Sequence, residues 1–106
     1  MPSPFFEKVA SAVEAAIHDA ETELPADVVS VLQRAYAEET SAVAKGEFEN
    51  IFENLRIAKE RDVPICQDTG LIVLYITLPP DVPYSAELYE AAAEGVRRAT
   101  VSVPLR

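Results

Sequence analysis

Val63-Pro64-Ile65-Cys66-Gln67-Asp68-Thr69-Gly70 runs directly into Leu71-Ile72-Val73-Leu74-Tyr75-Ile76-Thr77-Leu78, and over these residues the pattern of the chain changes character. Pro64 pushes Val63 toward extended backbone, Cys66 to Gly70 is polar and closes on a glycine, and Leu71 to Leu78 is an uncharged apolar run rich in β-branched residues. The spacing predicts a cysteine-bearing loop followed by one main buried strand at about Leu71 to Thr77. The apolar residues around Val101 to Leu105 are the natural partner for that strand.

On either side of this stretch the apolar spacing is helical. Ser3-Pro4 supplies a cap and a first-turn proline, and Phe6, Val9, Val13, Ala16, Ile17 and Ala20 recur at three- and four-residue intervals, which predicts a helix from Ser3 to Leu24. Leu24-Pro25 ends it and opens a second, with Val28, Val31, Leu32, Ala35 and Tyr36 as the buried stripe, finishing between Glu38 and Ser41. A third runs from about Ser41 to Arg61 through Phe48, Ile51, Phe52, Leu55 and Ala58; Gly46 weakens its first turns, so its firm part is Glu47 to Arg61. Beyond the strand, Pro79, Pro80 and Pro83 enforce a turn, and Leu88, Tyr89, Ala92, Ala93, Val96 and Ala99 predict a last helix from about Ala86 to Thr100. The expected fold class is α+β and mostly helical: three N-terminal helices, the loop, one buried strand and a C-terminal helix, in a single domain over residues 1–106.

A chain of 106 residues with 49% hydrophobic composition can pack one modest core. Nine Lys plus Arg against eighteen Asp plus Glu give a net charge of -9, which repels a phosphate backbone and excludes nucleic acid as a partner. No apolar run approaches the ~20 residues that span a bilayer. Met1 to Phe6 lacks the basic flank and apolar core of a signal peptide, so a cytoplasmic chain without a membrane partner is expected. One cysteine forms no internal disulfide, which leaves Cys66 as either a small buried hydrophobe or a chemical group.

Pro64 to Gly70 packs a soft ligand, an amide, a carboxylate and a hydroxyl between two extended pieces, and a loop held at both ends can aim such groups at one point. The competing reading is a tight turn in which Asp68 or Thr69 bonds local amides and Cys66 fills a core gap. Asn54, on the preceding helix, either braces this loop by hydrogen bonding or lies on the surface. His18, the only histidine, falls beside the apolar face of the first helix and is assigned no function. Arg97 and Arg98 read as charges of the last helix, one of them pairing with Glu94 across a turn. Arg106 follows an extended apolar segment, and a guanidinium there can grip a carboxylate bidentately.

Asn54-Leu55-Arg56-Ile57-Ala58, followed closely by Pro64-Ile65-Cys66-Gln67-Asp68-Thr69-Gly70, resembles the N-terminal region of class I fumarases and L-tartrate dehydratases. The similarity extends over most of the chain, to Gly95-Val96-Arg97-Arg98-Ala99-Thr100 and the Val-Pro-Leu-Arg segment after it. It implies a hydro-lyase that reversibly hydrates and dehydrates a small dicarboxylic acid, fumarate to malate in the first place. It also implies a 4Fe-4S cluster held by three cysteines, with Cys66 as one of the three metal ligands. Asp68 is then the catalytic acid or base and a substrate contact, with Gln67 and Arg106 as further substrate contacts. Two of the three cysteines are missing here. The resemblance therefore implies an N-terminal fragment of a larger alpha subunit, inactive alone, completed by the remainder of that subunit and by a beta subunit or C-terminal domain in an oligomer. A reading of another class stays open: a noncatalytic helical interaction module from a truncated or split gene, pairing through its apolar strand.

Overall fold

A computed structural model of the chain describes residues 2–66 and 70–105. Among the described residues the regular elements are four helices, α1 (Pro4–Thr22), α2 (Ala26–Glu38), α3 (Ala42–Arg61) and α4 (Ala86–Ser102). They fall into two compact units, one made of Met1–Ile17 with Gln67–Arg106 and the other of His18–Cys66.

In the first unit α1 packs on α4. The Ser3 hydroxyl accepts from the Phe6 N–H at 3.1 Å and Pro4 takes the first helical position, where its missing N–H costs nothing. Ser85 caps α4 in the same way, accepting from the Leu88 N–H at 3.3 Å. The core between them is built from Val13, Ile17, Ala92, Ala99 and Val103. Small residues let the two helices approach closely: Ala10, Ala91 and Ala99 are fully buried, and Gly95 sits against Ala10 and Val13. At the rim, Arg98 bridges Glu7 of α1 at 2.9 Å and Glu94 of its own helix at 3.4 Å, and the Ser102 hydroxyl donates to Glu14 at 2.8 Å.

The second unit pairs α2 with α3 through an aromatic cluster. The Tyr36 ring meets Phe48 and Phe52 edge-on, with centroids 6.1 and 5.7 Å apart, and its hydroxyl donates to Glu49 at 3.0 Å. Ser41 caps α3, accepting from the Ala44 N–H at 3.3 Å, so the helix starts at Ala42 and Gly46 lies inside it. Asp62 ends it in the left-handed conformation, φ 56°. No residue of α2 is fully buried. Val28 and Val31, expected in a buried stripe, are half-exposed.

The expected α+β fold is corrected here, because the described residues contain no strand and the chain is all-helical among them. Leu71 to Leu78 is irregular, with no backbone hydrogen bond to any described residue. A strand exists only through a ladder, and β-branched composition supplies the propensity without the partner. The other candidate for that ladder is not extended either, since Val101 and Ser102 continue α4. Nor is the segment buried. Leu71 and Tyr75 are each 94% exposed and Val73 65%, whereas Ile72, Leu74 and Ile76 turn toward α4 and line a groove of about 750 Å³ with Leu88 and Val96.

Candidate functional site

The residues leading into Cys66 are held at every donor they possess. Where α3 ends, the Asp62 and Val63 N–H groups both donate to the Ala58 carbonyl, the second at 3.0 Å. Pro64 has no N–H. The Ile65 N–H donates to the Glu21 carbonyl in the last turn of α1 at 2.8 Å, and the Cys66 N–H donates to Asn54 Oδ1 on α3 at 2.9 Å. Of the two readings open for Asn54, bracing and surface, the hydrogen bond makes it a brace. Cys66 itself is exposed and its thiol is free, so it fills no core gap. Gln67, Asp68, Thr69 and Arg106, the other residues named for catalysis, substrate contact or the turn, lie outside the described residues.

A 4Fe-4S cluster does not fit these residues. Three thiolates are required and the chain has one cysteine. Among the described residues, no group of three or more His, Cys, Asp or Glu side chains gathers where a metal ion could sit. The iron-sulfur and metal-binding character expected of this chain is corrected accordingly, because its donor set is not present.

His18 has a more specific place than its sequence context suggested. Its Nδ1 meets Asp19 at 3.1 Å and its Nε2 meets Asp62 at 2.5 Å, which ties α1 to the left-handed end of α3, a few residues before Cys66. The hydrogen bond to Asp19 and then that to Asp62 hold the imidazole above the ordinary histidine value of 6.5. Because the folded-state value is raised, the bridge contributes fully below the unfolded value and is lost as pH rises through the folded one. The His18 midpoint, read from its ring protons by NMR, is expected to fall toward 6.5 in Asp62→Asn; a midpoint that does not move shows that the bridge is absent in solution. The partners are 44 residues apart, a separation that local pattern does not reach.

The two arginines of α4 are occupied structurally. Arg97 pairs with Glu94 at 2.8 Å, and Arg98 with Glu7 and Glu94. Among the described residues, no helix is long and apolar enough to cross a membrane.

Residues 10–106 match the family described as fumarate hydratase (Fumerase). The chain is 37% identical over 101 residues to a Methanocaldococcus jannaschii protein provisionally assigned as L(+)-tartrate dehydratase subunit alpha, a match covering 93% of this chain and 35% of that one. It is 35% identical over 85 residues to L(+)-tartrate dehydratase subunit alpha of Escherichia coli K12, covering 80% of this chain and 28% of the relative. The Shigella boydii subunit of the same name gives the same figures. The chain thus spans about a third of the length of the curated relatives it matches.

Proposed function

The chain belongs to the fumarate hydratase (Fumerase) family, and we propose that it is the N-terminal part of a hydro-lyase alpha subunit acting on a small dicarboxylic acid, fumarate to malate in the first place. The observation that carries this reading is the family match itself, which runs over residues 10–106 and so includes the whole Pro64 to Gly70 segment.

Hydration adds a proton and a hydroxyl across a carbon–carbon double bond, and dehydration takes them off again. A base must remove the proton from the carbon next to the one that bears the hydroxyl, and the same group in its acid form returns it in the other direction. Asp68 is the carboxylate in this chain for that task. Gln67 offers an amide N–H to a substrate carboxylate, and the Arg106 guanidinium matches a carboxylate with two parallel N–H donors. Both ends of a dicarboxylic acid need such partners, because a carboxylate removed from water without them loses its hydration uncompensated. The remainder of an alpha subunit and a beta subunit or C-terminal domain complete the site in a cytoplasmic oligomer. This chain alone is inactive. That division is supported by the relatives' names, which call them alpha subunits, and by the share of their length that the chain spans.

The test is a purified enzyme in which this chain is joined by the polypeptide that completes it. Hydration of fumarate, followed through the loss of its ultraviolet absorbance, is expected there and not with the 106-residue chain by itself. The relatives' names favour L(+)-tartrate as a second reading, and the same preparation assayed on tartrate decides between them. Turnover of neither acid rules out both.

A further inference from the structure

We propose that Leu71 to Leu78 is a docking edge, and that its occupant is an extended apolar segment of the polypeptide that completes the alpha subunit, bound through main-chain hydrogen bonds. The proposal rests on the reading that the chain is part of such a subunit. By itself the chain stays all-helical among its described residues, and the edge is bare.

These eight residues carry no charge, and none of their N–H or C=O groups bonds a described residue. Their exposure alternates. Leu71, Val73 and Tyr75 face outward, whereas Ile72, Leu74 and Ile76 are 45%, 37% and 47% exposed and lean toward α4 within the first unit. A period of two is that of extended backbone, in which successive N–H groups also point to opposite edges. Pro79 and Pro80 close one end, since neither has an N–H to offer.

The unmet main-chain groups select the occupant. A small apolar molecule could fill the groove beside α4, but it brings no acceptors for the N–H groups. A helix has already used its own main-chain groups internally. Another extended chain carries N–H and C=O groups at the matching rise of about 3.3 Å per residue. A second copy of this chain would bring together two bodies of net charge -9, which opposes a dimer. Length favours the completing polypeptide: the chain spans 35% of the Methanocaldococcus jannaschii relative and 28% of the Escherichia coli one, so most of such a subunit remains to supply the segment.

The experiment compares amide hydrogen exchange, residue by residue by NMR, in the 106-residue chain and in the completed enzyme. In the chain alone, the amides of residues 71–78 are expected to exchange nearly as fast as in an unfolded chain. In the completed enzyme every second one should slow by about 100-fold or more, because a neighbour along one edge reaches only alternate N–H groups. Val73→Pro and Leu74→Pro remove donors on opposite edges. Both should leave the helix content of the 106-residue chain unchanged, since neither N–H is bonded there. In the completed enzyme one of the two should speed exchange at the remaining protected amides by about tenfold or more.

Exchange at residues 71–78 that is equally fast in both preparations overturns the proposal. So does protection that both proline variants leave intact. Protection in the chain alone that grows with its concentration would make the occupant a second copy, and overturns it too. If alternate amides are protected in an assembly that turns over neither fumarate nor tartrate, the hydro-lyase reading fails and the docking edge stands.

Discussion

In the hydro-lyase we propose, Asp68→Asn is expected to lower turnover by about 10²- to 10⁴-fold, the usual contribution of a positioned acid or base. Asparagine keeps the size of the side chain and most of its hydrogen bonding, while the negative charge and the proton acceptor are removed. A group that acts only in the transition state shows itself in kcat, with KM little changed. The pH profile adds a second readout, since the limb that reports ionisation of the base should disappear together with the activity. Helix content by circular dichroism should stay where it was. Turnover near normal would make Asp68 a turn residue, bonding local amides as the competing reading of the sequence holds. Unfolding of the variant would say the same.

The second large effect concerns Gly95, where α4 meets α1. A Cβ at this position would stand 2.6 Å from Val13 Cβ and 2.7 Å from the Ala10 carbonyl oxygen. Alanine is the better helix former by about 1 kcal/mol, which on its own would stabilise α4. Overpacking a tight contact costs about 1–3 kcal/mol, and here one of the atoms met is main chain, which has no rotamer to escape into. The collision wins, and Gly95→Ala is expected to lose about 1–2 kcal/mol in urea denaturation. Gly95→Val, with two further methyl groups, should lose about 3 kcal/mol or more, a large part of the ~5–15 kcal/mol that holds a domain together. Gly46→Ala is the internal control, because nothing lies within 4 Å of a Cβ there and α3 should simply gain the propensity term. If both alanine variants stabilise the chain, the close approach of α1 and α4 does not exist in solution.

What could be read from the residues depended on how local each cause was. Val13 and Ile17 on α1, and Leu88, Ala92 and Ala99 on α4, are buried as their three- and four-residue spacing requires, because that signal is carried within each helix. The third helix runs as its pattern from about Ser41 to Arg61 requires, and Gly46 misled only the narrower firm part from Glu47, because a single glycine costs less than the Ser41 cap and the surrounding helix return. Leu71 to Leu78 misled the reading more, since strand formation belongs to a pair of segments and one segment shows only half of it. Val28 and Val31 have apolar spacing without burial, for spacing says which face is apolar and not whether anything covers it.

At the candidate site, local chemistry marked the Pro64 to Gly70 segment, and the position of Asn54 just before it suggested a brace that the bond to Cys66 makes concrete. The meeting of His18 with Asp62 had no local sign at all. The single cysteine was visible from the start and already fell short of three ligands. For Gln67, Asp68 and Arg106 the roles come from the resemblance and from side-chain chemistry alone.

The bare run from Leu71 to Leu78 also makes the chain easy to cut. Proteases bind their substrates as extended main chain with N–H and C=O groups available for pairing, and Tyr75, 94% exposed, offers an aromatic side chain in such a setting. A chymotrypsin-like enzyme would nick the polypeptide there and separate the sequence that contains α4 from the sequence that contains α1. The halves would not drift apart at once. Gly95 still lies against Ala10 and Val13, Arg98 still grips Glu7, and Ser102 still bonds Glu14, so the two pieces should travel together on a sizing column and separate only in denaturant.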